Sequence, residues 1–127
     1  MFHAVVWIDH HEARILEFDR TTQERKHVRS NLQNQLHHKS GEIGAGKATA
    51  DRAYLQHVTE AVSDATEILV VGPGTAKLEF LRYLHSHAPD VERKVMAVET
   101  SDHPTDAQIL AHAREYFRAA DRMVAHR

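Results

Sequence analysis

The spacing of hydrophobic and polar positions changes several times along the chain, and each change marks an element. Residues 3–9, His-Ala-Val-Val-Trp-Ile-Asp, are short, almost continuously apolar and rich in β-branched and aromatic types. That pattern predicts a strand buried on both faces, as a central strand is. After the polar break Asp9-His10-His11-Glu12, residues 13–19 predict a second strand, and Arg20-Thr21-Thr22-Gln23 a second turn. Residues 24–30 alternate weakly and predict a third, more exposed strand. Connections this short make the three an antiparallel meander.

Residues 31–50 have no period and carry Gly41, Gly44 and Gly46, which predicts a long flexible loop, a feature usually functional or disordered inside a compact domain. Tyr54, Leu55, Val58, Ala61, Val62 and Ala65 then fall at helical spacing, so a helix is expected over about 50–65. Residues 67–72, Glu-Ile-Leu-Val-Val-Gly, are the clearest strand in the chain. Leu78, Phe80, Leu81, Tyr83 and Leu84 predict a second helix that stops before Pro89, and Val95–Val98 a strand over 92–99. Pro104 and Thr105 open the last helix, with Gln108 in capping-box register to Thr105. Its core face is Ile109, Leu110, Ala113, Tyr116, Phe117 and Ala120, and the polar tail after about 120 is expected to fray.

The order is βββαβαβα. Right-handed β-α-β crossovers place the later strands parallel. The result is an α/β fold of RNase H-like layout: a mixed five-stranded sheet, an antiparallel meander on one side, and flanking helices. A length of 127 residues fits one domain, 1–127, and a hydrophobic fraction of 42% permits a packed core.

Composition narrows the chemistry. Without cysteine there is no disulfide, thiol nucleophile or thiolate-bound metal. No apolar run approaches a membrane span, and Met1-Phe2-His3-Ala4-Val5 lacks the basic start of a secretory leader, so a cytoplasmic protein is expected. The net charge of −2 argues against a generic nucleic-acid coat protein. Its distribution is uneven: Arg25, Lys26, Arg29, Lys39 and Lys47 stand against the single acid Glu42 between positions 25 and 47. A basic arm on a mildly acidic body is one reading, and a solvated loop with incidental charge the other.

Several motifs fall short of a known chemistry. A two-metal nuclease needs carboxylates at the first strand and on later elements. Asp9 is in place, but the strand at 67–72 ends in Gly72-Pro73 where a second acid is wanted, and Asp9 also suits a plain turn. Gly41–Lys47 matches Gly-x-x-x-x-Gly-Lys, yet residue 48 is alanine where the magnesium-holding hydroxyl belongs, and no buried strand precedes it. Gly72, Gly74 and Lys77, at a strand-to-helix turn, are a candidate anion site. A tight turn that needs glycine explains the same residues. The twelve histidines include adjacent pairs at 10–11 and 37–38. Neighbours on a strand point oppositely, so scattered surface histidines are expected rather than a metal site, and no cofactor or metal is assigned.

The stretch Ile68-Leu-Val-Val-Gly-Pro-Gly-Thr-Ala-Lys-Leu-Glu-Phe-Leu-Arg-Tyr-Leu84 resembles the central domain of eukaryotic and archaeal peptide release factors and of Pelota, the ribosome-rescue factor. The shared features are the buried strand, Gly-Pro-Gly, a lysine in the first helical turn and Phe-x-x-x-Leu. The rest of the chain agrees in topology, and it is similar as well to stand-alone bacterial relatives described as translational machinery proteins. In that family the long loop carries Gly-Gly-Gln, which assists hydrolysis of the peptidyl-tRNA ester. None of the five glycines here is adjacent to another, so the motif is absent and no catalytic residue is assigned. The resemblance implies a contact with the ribosome or tRNA rather than hydrolysis. The expected RNA-binding residues are Arg25, Lys26, Arg29, Lys39, Gly44, Gly46, Lys47 and Arg52. The alternatives are a peptidyl-tRNA ester hydrolase and a homodimeric interaction module paired through its exposed third strand.

Overall fold

The structure, a computed structural model, describes residues 2–30 and 51–125, with side chains to residue 121. Its elements are β1 (His3–Ile8), β2 (Glu12–Phe18), β3 (Gln23–Arg29), α1 (Arg52–Val62), β4 (Glu67–Gly72), α2 (Ala76–His87), α3 (Pro89–Glu92), β5 (Val95–Thr100) and α4 (Asp106–Ala125). The five strands form one mixed sheet in the order β3-β2-β1-β4-β5. β1 pairs antiparallel with β2, and β2 with β3, whereas β4 is parallel to both β1 and β5. This is the RNase H-like arrangement the sequence predicts.

Apolar character explains strand placement. In β1, Ala4 through Ile8 are fully buried, because helices cover both faces of the central strand. Val6, Ile8, Ile15, Ile68 and Val70 face α1 and α2, where they meet Tyr54, Val58, Val62, Phe80 and Leu84. Val5, Trp7, Leu16, Phe18, Leu69 and Val71 face α4 through Ile109, Ala113 and Phe117. β3, at the sheet edge, is largely exposed, as its weak alternation indicates.

Two boundaries differ from the sequence expectation. Residues 89–92 form a short helix, which takes Glu92 and the next two residues out of the strand expected over 92–99: Pro89 takes its first turn and Val91 joins the core. β5 therefore begins at Val95. α4 continues to Ala125 instead of ending near 120. Its start matches expectation, with Gln108 N–H donating to Thr105 Oγ1 at 3.1 Å and Thr105 N–H to Gln108 Oε1 at 2.9 Å. No helix among the described residues is long and apolar enough to cross a membrane.

Candidate functional site

The chain gathers its candidate chemistry at the carboxyl end of β1. Asp9 makes the turn there, its Oδ1 accepting from the N–H groups of His11 at 2.8 Å and Glu12 at 2.9 Å. β3 ends beside this turn, with Ser30 N–H donating to His11 O at 2.8 Å. α1 starts beside it too, because buried Tyr54 donates its hydroxyl to Asp9 O at 2.9 Å. Burial, followed by the nearby Asp9 and Glu12 carboxylates, pushes the Tyr54 phenol far above its ordinary range, so it stays a donor. At the start of α2, Glu79 meets His10 at 2.9 Å. The segment before α4 crosses the same end: Trp7 Nε1 donates to Asp102 O at 2.7 Å, and His103 Nε2 lies 4.0 Å from Asp9.

Three helix N-termini thus converge on the end of the sheet where Ser30 and Asp51 flank residues 31–50. Each brings first-turn N–H groups that have no intrahelical partner and the positive end of a helix dipole. Acids already answer part of that field. Asp51 caps α1 through Ala53 N–H, Glu79 lies in the first turn of α2, and Asp106 begins α4.

The expected RNA-binding residues do not all share this end. Arg29, last in β3, and Arg52, first in α1, are exposed on either side of residues 30–51. Alternation along β3 turns Arg25, His27 and Arg29 toward the α4 face, and Lys26 and Val28 toward the α1 face. Arg25 binds the Asp106 carboxylate. Lys26 lies 3.1 Å from Glu17 and donates to Ala61 O at 2.9 Å. Lys39, Gly44, Gly46 and Lys47 lie outside the described residues.

At the candidate anion site the two glycines differ. A Cβ on Gly72 falls 2.2 Å from the carbonyl oxygen of Ile8, so glycine is required there for close strand approach. A Cβ on Gly74 meets nothing within 4 Å. Lys77 is buried and its ammonium donates to Gly74 O. The turn is therefore braced by its own lysine.

Two charged clusters were not visible in the sequence. On the α4 face, the Arg14 guanidinium lies 4.5 Å from the Trp7 ring centroid and 2.9 Å from Asp106. Burial alone raises the Asp106 carboxyl, but Arg25 and Arg14 outweigh it and hold the group below its usual range. On the α1 face, Glu17 is 2% exposed, and its Oε2 has no hydrogen-bond partner. Burial, then a hydrogen bond with Asp64, raises the Glu17 carboxyl, with Lys26 opposing. The same interaction, the largest of its causes, lowers the Asp64 carboxyl. Neither cluster has a spacing signature, since each joins residues distant in sequence.

Six histidines, at 3, 10, 27, 85, 103 and 112, each lie within 4.0 Å of a carboxylate. Among the described residues, no group of three or more acids and histidines is placed to hold a metal ion.

No protein-family model matches the chain, and no curated protein does. Solved structures do. Pelota of Thermoplasma acidophilum is similar over 84% of this chain and 30% of its own, at 17% identity and a TM-score of 0.60. Pelota of Archaeoglobus fulgidus is similar over 98% of this chain and 38% of its own, at 16% identity and a TM-score of 0.59. The archaeal translation termination factor aRF1 is similar over 98% of this chain and 41% of its own, at 13% identity and a TM-score of 0.51. The chain spans well under half of each of these proteins. The resemblance read from Ile68–Leu84 and the topology is therefore a resemblance of fold to release-factor and Pelota domains.

Proposed function

We propose that this chain is a cytoplasmic, translation-associated protein that contacts the ribosome or tRNA without catalysing hydrolysis. The observation that carries the reading is positional. Residues 31–50, with Lys39, Gly44, Gly46 and Lys47, are flanked by Ser30 and Asp51 at the sheet end where α1, α2 and α4 all begin. Arg29 and Arg52 extend the positive charge onto the platform. Phosphate oxygens find cations and helix N–H groups there, and glycines permit close backbone approach. The fold shared with Pelota and with an archaeal termination factor supports translation as the setting.

Gly72, Gly74 and Lys77 serve in this reading as the brace that fixes the start of α2, and a phosphate is a secondary occupant of that turn. Without Gly-Gly-Gln, nothing in the chain is assigned to activate water at an ester. Filter binding of labelled tRNA at low and moderate salt tests the proposal. Binding that weakens steeply with salt, and weakens further in Arg29→Ala/Arg52→Ala, is expected. Binding absent at low salt, or indifferent to both arginines, contradicts it. Release of peptide from peptidyl-tRNA moves the reading to hydrolysis.

A further inference from the structure

We propose that two copies of this chain pair through the outer edge of β5, antiparallel, with Val98 on the two-fold axis. The sheet has two edges, β3 and β5, and among the described residues no strand covers the outer side of either. They are differently defended. β3 reads Gln-Glu-Arg-Lys-His-Val-Arg, a run of charge that resists edge-to-edge addition. β5 reads Val-Met-Ala-Val-Glu-Thr; it carries one acid and a bulge at Met96, so it is less charged than β3 and offers a regular stretch only from Ala97 onward. Met96 is 48% exposed, one of two large hydrophobics left in solvent among the described residues.

The register follows from the backbone. Ser101 N–H donates to Gly72 O at 2.9 Å, so Ser101 directs its main-chain groups toward β4. Successive residues alternate, which turns Glu99 inward and leaves Val98 and Thr100 with N–H and C=O directed outward. The extra residue that β5 carries against β4 falls at Met96, between the partners of Ile68 and Leu69, so Ala97–Thr100 stay regular. A hydrogen-bonded pair centred on Val98 uses that regular part.

Charge selects a second copy as the occupant. Exposed Arg93, and Lys94, which donates to Ser63 O at 2.7 Å, precede β5, while Glu99, 2.6 Å from His112, and Asp102, 3.0 Å from His103 with its side chain 95% exposed, lie toward the far end. Antiparallel self-pairing sets the basic start of each strand beside the acidic end of the other, twice by symmetry. A parallel neighbour would set like charge beside like.

The chain has no cysteine, so Val98→Cys introduces a single thiol. Opposed residues of a hydrogen-bonded antiparallel pair have Cα atoms about 5.5 Å apart, inside the range a disulfide spans. Sedimentation of the unaltered chain is expected to show a monomer–dimer equilibrium, given the small area of one strand pair. Arg93→Glu, at an exposed position, should weaken it several-fold. Val98→Cys should cross-link under mild oxidation while His27→Cys, on β3, does not. A chain that stays monomeric to about 1 mM, where even a weak pair associates, overturns the proposal. So does a dimer indifferent to Arg93→Glu, or one that cross-links through residue 27 and not 98, which assigns the interface to β3.

Discussion

Replacing Gly72 by alanine isolates the reason for the Gly-Pro-Gly turn. Gly72 stands at the end of β4 beside Ile8, and an added Cβ sits 2.2 Å from the Ile8 carbonyl oxygen and 3.3 Å from its carbon. Both atoms are backbone of the central strand, so no rotamer change relieves the clash. Overpacking of this kind costs typically about 1–3 kcal/mol, and more where backbone must shift. A reduction in unfolded-state entropy returns only about 0.4–1 kcal/mol. Gly74→Ala is the matched control. It meets nothing within 4 Å and its backbone is outside the left-handed region, so it should be neutral or stabilising by a few tenths of a kcal/mol, roughly the entropic benefit alone. Urea unfolding followed by fluorescence reads both variants, because Trp7 is the single tryptophan and is fully buried. At about 2–6 °C per kcal/mol, Gly72→Ala should also lose several degrees of Tm. Equal midpoints for Gly72→Ala and the parent refute the packing argument. Equal damage from both substitutions refutes the distinction between the glycines.

Other outcomes follow from the same contacts. Glu17 has a raised pKa, so its contribution to stability is complete below its ordinary value of 4.5 and is lost as pH rises through the folded value. Glu17→Gln, which stays neutral, should therefore gain stability relative to the parent between pH 4 and pH 8 in a thermal series; a constant difference would show that Glu17 ionises freely in the fold. Thr105→Ala removes the α4 cap and should cost about 0.5–2 kcal/mol in urea unfolding, with no loss pointing to a cap that contributes nothing. Tyr54→Phe removes the donor to Asp9 O and should cost about 0.5–1.5 kcal/mol by the same assay, whereas an unchanged midpoint would mean that water replaces the hydroxyl.

The sheet order and the helix faces were legible because they rest on periodicity. β1 is apolar at successive positions since both of its faces are covered, and α4 announces its start through Thr105 and Gln108. α3 was missed because one four-residue turn has too few positions to show a period, although Pro89 is the expected first residue of such a turn. The site was only partly legible. Charge along the chain identified Arg25 through Lys47 as basic, but it does not say which way a strand residue faces. Lys26 lies between Arg25 and Arg29 in the sequence yet turns to Glu17 on the other side of the sheet. The pairing of Arg14 and Arg25 with Asp106 spans more than eighty residues and leaves no local trace.

Co-sedimentation with ribosomes across a salt series reads the proposed contact itself. The chain should pellet with ribosomes at low salt, dissociate steeply as salt rises, and lose much of the association and part of the salt slope in Lys39→Ala/Lys47→Ala. A chain that stays in the supernatant at low salt, or a double variant that pellets as the parent does, contradicts that contact.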